Sequence, residues 1–167
     1  MGKSSKIVHL LKKRSMEIIA FEPQYRGDFK KLNIQWLEAF FWVEPHDEEV
    51  LGKPEKYIIK PGGHIFLVRD NTEIIGCVAL MKIEENIFEL TKMAISPNHR
   101  GKQIGQKLME HTINFAKSQP WESLIIYSNR KLENAIHIYR KFGFQEIPIE
   151  ENNPYARGDI KMKLRLS

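Results

Sequence analysis

A chain of 167 residues, 42% of them hydrophobic and 28% charged, is long enough for one domain with a real core. Its one cysteine, Cys77, excludes an intrachain disulfide and a cysteine-rich metal site, and no apolar stretch approaches the roughly 20 residues that span a bilayer. The formal net charge of +5 is local. Lys3, Lys6, Lys12, Lys13 and Arg14 are five of the 26 basic residues, and the 21 that remain balance 21 acidic ones, so no nucleic-acid partner is expected.

Residues 1–15 read as a loosely ordered basic extension. Their apolar segment 7–11 is too short for a signal-peptide core, and Gly2-Lys3-Ser4 has no strand before it to make a phosphate-binding loop. The expected location is cytoplasmic, with no membrane partner. A first strand is predicted over 16–21, ended by Pro23. Phe29, Leu32, Trp36, Leu37, Phe40 and Phe41 recur at helical spacing and predict a helix over 29–43. Pro45, followed by acids at Asp47, Glu48 and Glu49, predicts a second short helix. Strands are predicted at 64–69, 74–83 and 88–95, separated by turns at Asp70-Asn71-Thr72-Glu73 and Glu84-Glu85-Asn86. A helix over 104–117, a doubly buried strand over 123–127, a helix over 131–142 and closing strands at 144–149 and 160–166 complete the chain. Cys77 lies in an apolar run between Gly76 and Val78 and is expected to pack in its strand. The order β-α-α-β-β-β-α-β-α-β-β predicts an α/β fold, a mixed sheet with helices on both faces.

The most informative stretch is 89–144. ELTKMAISPNHRGKQIG carries a strand into a loop rich in cationic and amide donors, and Arg100-Gly101-Lys102-Gln103-Ile104-Gly105-Gln106 opens the helix after it. The first amide N–H groups of a helix lack internal partners and its dipole favours negative charge, so this start suits a diphosphate. Some 35 residues on, Ala135-x3-Tyr139-x3-Gly143-Phe144 places a tyrosine on a second helix that ends at a glycine.

These residues resemble the GCN5-related N-acetyltransferase (GNAT) superfamily, in particular a bacterial subgroup of it, over roughly 16–166. The resemblance implies a single N-acetyltransferase domain over 16–167, whose two neighbouring central strands splay to hold acetyl-CoA, here 88–95 and 123–129. It implies transfer of acetyl from acetyl-CoA as co-substrate to a primary amine by direct attack in a ternary complex, with no metal. The competing reading keeps the fold and acetyl-CoA binding but not the activity, as a sensor or regulatory module. Dimers are common for the fold, so a homodimer is a candidate.

The resemblance also assigns residues. Arg100 and Gly105 match the ends of the family's phosphate-binding motif, while Gln103 stands where glycine is usual. Gln103 is expected to take a helical conformation there, giving binding with an altered loop. The strand end at Met93, Ala94 and Ile95 matches the segment that pairs with the pantetheine arm and supplies an oxyanion donor near Met93 or Ala94. Tyr139 matches the general acid that protonates the departing thiolate, or a group that only orders the sulfur. The Asn that often precedes that tyrosine by seven residues is here Leu132; Asn129 and Asn134 are the substitutes, Asn129 favoured because a strand end opens into the notch. Glu89 matches the base of histone-type members, with a salt-bridged strand-edge carboxylate as the other reading. His64 and His137 fall on no family motif.

The acceptor, a small molecule or a peptide amine, is not readable. Glu44, Asp47, Glu48 and Glu49 would suit a cationic amine, or simply face water. Phe40, Phe41 and Trp42 are an acceptor wall or core, and Tyr155-x-Arg157 is a candidate acceptor-side loop.

Overall fold

The computed structural model describes residues 16–167; the expectation for 1–15 lies outside the described residues. Seven strands form one sheet: β1 Met16–Ala20, β2 His64–Asp70, β3 Glu73–Glu84, β4 Ile87–Ile95, β5 Ser123–Ser128, β6 Gln145–Ile147 and β7 Ile160–Arg165. Their order is β1-β2-β3-β4-β5-β7-β6, and β4 with β5 is the parallel pair in a sheet whose other pairs are antiparallel. The helices are α1 Arg26–Phe40, α2 Pro45–Gly52, α3 Ile104–Lys117 and α4 Glu133–Lys141. No helix among the described residues is long and apolar enough to cross a membrane.

Strand alternation divides the core in two. On β3, Ile75, Val78 and Leu80 join a cluster with Ile104, Leu108 and Ile113 of α3. Ile74, Cys77 and Ala79 face the other way, against Phe29, Leu32 and Leu37 of α1 and Val50 and Leu51 of α2. Cys77 is fully buried, as its strand position predicts.

Some boundaries differ from the expected ones. The first helix starts at Arg26 rather than 29, because Arg26-Gly27-Asp28 adds a polar turn that apolar spacing does not register. It stops at Phe40 rather than 43. Phe41 leaves helical geometry at φ −145, ψ −131, and an extended Glu44 follows before Pro45. Residues Glu55–Ile59 form a π-helical turn for which no element is expected.

One irregularity shapes the centre of the sheet. Lys92 has φ 55, and because Thr91 faces Ala79 while Ala94 faces Cys77, Lys92 and Met93 together oppose Val78. This β-bulge bends β4. The parallel pairing with β5 covers only Ile87, Phe88 and Glu89, so from Leu90 onward the two strands part.

Candidate active site

The parted strands open into a cavity of about 860 Å³, within the range of small-molecule sites. Its floor is Leu90 to Ile95 of β4 and Ile126 to Ser128 of β5. Phe40 and Phe41 at the end of α1 close one side, and Leu132, Ala135, Ile138 and Tyr139 on and before α4 close another. Asp47, Tyr155 and Arg157 lie on the side of α2 and the loop before β7. None of α4's residues is buried although its apolar side chains pack towards the core. The cavity stands between this helix and the sheet.

Of the residues singled out in the sequence, Met93, Ala94, Ile95, Arg100, Asn129, Asn134 and Tyr139 line this cavity together. Gly101, Lys102, Gln103, Ile104, Gly105 and Gln106 are not among its lining residues; they carry the chain from Arg100 into α3. Gln103 corrects the expected helical conformation: it is left-handed, φ 60 and ψ 16, at the N-cap of α3. That geometry is the reason glycine suits the position, since a Cβ there meets the carbonyl. Helix α3 begins with no side-chain cap and no acid in its first turn, so its first amides remain available to an anion. Arg100 gives its Nε to the Ile95 carbonyl at 3.2 Å and stacks over Phe40, but its Nη2 is buried without a hydrogen-bond partner.

Tyr139 is half-buried on the cavity wall, and desolvation by its surroundings pushes its phenol above the usual range while a hydrogen bond with Ser128 pulls the other way. It therefore stays protonated at neutral pH. Asn129 has both ends of its amide committed: Nδ2 donates to the Arg157 carbonyl at 2.8 Å and Oδ1 accepts from the Lys131 amide at 2.9 Å. Asn129, favoured for a strand-end contact, lines the cavity and also ties the Arg157 loop to β5. Asn134, exposed, keeps its place on the cavity wall.

Glu89 does not line the cavity. It is buried beneath it, and Tyr155, which does line it, donates its hydroxyl to Glu89 Oε2 at 2.5 Å; Thr91 Oγ1 is 3.3 Å from the same hydroxyl. Burial raises the Glu89 carboxyl above its normal range, against the hydrogen bonds of Tyr155 and Thr91 and the charge of Lys92.

The acids near α2 are paired rather than open. Arg157 holds Asp47 through two bonds of 2.9 Å and Glu44 through one of 2.5 Å, and the Glu44 amide donates to Asp47 in a capping box. Burial alone would push the Asp47 carboxyl up, yet Arg157, the Glu44 amide and Lys92 hold it below its ordinary value. Glu48 pairs with Lys30 at 3.5 Å and Glu49 accepts from Tyr57. Sequence reasoning missed Lys92 as a side chain: its ammonium ends 3.4 Å from Asp47 and over the Tyr155 ring. Phe40 and Phe41 prove to be cavity wall, while Trp42 is 54% exposed. His64 packs among Phe66, Phe115 and Trp121, away from this lining.

Comparison with known proteins agrees with this architecture. Residues 61–146, half of the chain, match the family model described as an acetyltransferase (GNAT) domain. An uncharacterized N-acetyltransferase of Schizosaccharomyces pombe is 26% identical over 164 residues, covering 95% of this chain and 99% of that protein. A GNAT-family acetyltransferase from Staphylococcus aureus superposes with a TM-score of 0.81 at 21% identity, covering 92% of this chain and all of that one. Spermidine N-acetyltransferase from Vibrio cholerae, solved in complex with CoA and spermine, gives 0.71 at 21% identity over 90% of this chain and 95% of its own. A mixed sheet split between two parallel strands, with a helix starting at the split, thus meets a direct family match: the chain belongs to the acetyltransferase (GNAT) family and is an N-acetyltransferase.

Proposed function

We propose that this protein moves the acetyl group of acetyl-CoA to a primary amine by direct attack within a ternary complex. Bound acetyl-CoA supplies a thioester whose carbonyl an unprotonated amine attacks and whose sulfur departs as thiolate. The observation that carries the reading is the split between β4 and β5, with unpaired backbone from Leu90 onward on one side and Tyr139 on the other.

The residues present fit that co-substrate. The buried, partnerless Nη2 of Arg100 and the uncapped start of α3 suit a diphosphate. The open edge of β4 suits an amide-rich arm that adds as a strand would. A backbone N–H at Met93 or Ala94, beside the bulge, supplies the donor for the oxyanion. Tyr139, kept protonated by burial, gives its proton to the sulfur. Glu89 accepts the proton of the acceptor ammonium through the Tyr155 hydroxyl, its raised carboxyl pKa suiting it to that exchange. Asn134, on the cavity wall, contacts the arm together with the remaining N–H of Asn129.

An assay of free thiol released from acetyl-CoA with an amine library tests the reading. Amine-dependent release, lost in Tyr139→Phe with CoA affinity retained, is the expected result. CoA binding by calorimetry without release from any amine would convert the protein into a CoA-binding module, and no binding at all would end the assignment.

A further inference from the structure

Lys92 is a buried cation of the acceptor side whose hydrogen bonding is unfinished. Its side chain is only 6% exposed, and it ends among Asp47, Tyr155 and Arg157, all of which line the cavity. An ammonium has three N–H donors. Here one of them reaches Asp47 Oδ1, at a long 3.4 Å. Asp47 has little left to offer. Its Oδ1 accepts from Arg157 Nη2 at 2.9 Å, and its Oδ2 accepts from Arg157 Nη1 at 2.9 Å and from the Glu44 amide at 3.0 Å. Burial pushes the Lys92 ammonium towards its neutral form while Asp47 and Glu89 hold its charge, so further acceptors would stabilise it. Among the described residues protein supplies no further one, so they come from the cavity, as water or as the oxygens of a ligand.

We infer that the acceptor is a primary amine carrying a carboxylate close to its nitrogen, the carboxylate seated on Lys92 and the amine at the Tyr155 hydroxyl. This rests on the acetyl-transfer reading above and names the acceptor class for it. Lys92 Nζ lies 5.2 Å from the centre of the Tyr155 ring, whose hydroxyl meets Glu89. An anion at the ammonium and an amine at the hydroxyl therefore share the Tyr155 side chain, one at its ring face and one at its tip, which suits a short acceptor such as an amino acid. Polyamines fit worse. The carboxylates that would attract them, Asp47 and Glu44, are already paired with Arg157 and Lys92, and a second ammonium would meet both of those cations directly. The bulge places Lys92 here: its left-handed backbone lies at the parting of the strands, between the floor and α2.

The experiment uses the full chain and matched pairs: an amino acid and its decarboxylated amine, with small, acidic, basic and aromatic side chains. Thiol release from acetyl-CoA is followed for wild type, Lys92→Met and Lys92→Arg, and CoA affinity reports that each variant keeps its cofactor site. In wild type, kcat/KM should favour the carboxylated member of the best pair at least tenfold, mostly through KM. Lys92→Met should abolish that preference, and Lys92→Arg should restore part of it. Equal or better use of the decarboxylated amines, or a preference that survives Lys92→Met, overturns the inference while leaving acetyl transfer standing. If no pair turns over, calorimetry on the CoA-saturated protein decides. Tighter binding of the carboxylated member, lost in Lys92→Met, supports the anion seat although transfer has failed. Absence of any difference, or of binding by either member, refutes it.

Discussion

Tyr155 donates to Glu89 across 2.5 Å, so the carboxyl beneath the cavity reaches it through a single hydroxyl. The hydrogen bond favours the ionised carboxylate; burial opposes it and has the larger effect. In Tyr155→Phe the carboxyl moves further up. The acidic limb of the kcat/KM profile should then shift to higher pH, with neutral-pH activity about 10–100-fold lower. An unmoved limb would separate Glu89 from the chemistry.

Tyr139→Phe keeps the ring that packs near Phe144 and removes the proton donor. The expected loss is about 10²–10⁴-fold in kcat with CoA affinity within a few-fold of wild type. A loss confined to CoA affinity would reduce Tyr139 to a packing role.

The left-handed Gln103 makes an unusual stability prediction. Such a conformation costs a non-glycine residue roughly 1–2 kcal/mol, part of which glycine returns through its more flexible unfolded state. Gln103→Gly should raise the melting temperature by about 2–4 °C, whereas Gln103→Ala, which keeps a Cβ, should not. Scanning fluorimetry on the three proteins tests this.

Arg157→Met strands Asp47, whose side chain is 2% exposed, and should cost about 3–5 kcal/mol in denaturant unfolding near pH 7. The Asp47 carboxyl lies below its ordinary value in the folded chain. The contribution is therefore complete above the unfolded value, near 3.8, and disappears as pH falls through the depressed one. In the variant burial is less opposed and the Asp47 carboxyl titrates at higher pH than in wild type, so the gap between the two proteins should narrow as pH falls through that raised value and narrow further below pH 4.

Burial pushes the Cys77 thiol up to about 12. Thiol reagents should not label the native chain and should label it stoichiometrically after unfolding. Labelling of native protein at the unfolding-independent rate would contradict this. The thiol assay of released CoA accordingly carries no background from the enzyme.

The sequence disclosed what local pattern encodes. Helix α3 runs over the expected span because Ile104, Leu108 and Thr112 repeat at helical spacing over a buried face. The Asn71 and Asn86 turns show in composition, and both residues adopt positive φ. Long-range pairing was not legible. Arg157 meets Asp47 110 residues away, and no spacing rule announces that a candidate acidic opening is closed by one guanidinium. The Lys92 bulge was equally hidden, since a lysine in a strand carries no mark of left-handed backbone. Asn129 illustrates a third case. Its position was correctly placed at the strand end, but which partner claims an amide depends on a loop that returns 28 residues later.

The shallow seating of α4 reaches beyond its own packing. Leu132, Ala135, Ile138 and Tyr139 also present apolar surface to the cavity, so under the proposed function the bound thioester would be a further neighbour to them. Each catalytic cycle thereby assembles and dismantles a piece of the protein's interior. Ejecting spent CoA means rewetting that interior, which makes departure of the product, rather than bond-making, the natural bottleneck of turnover.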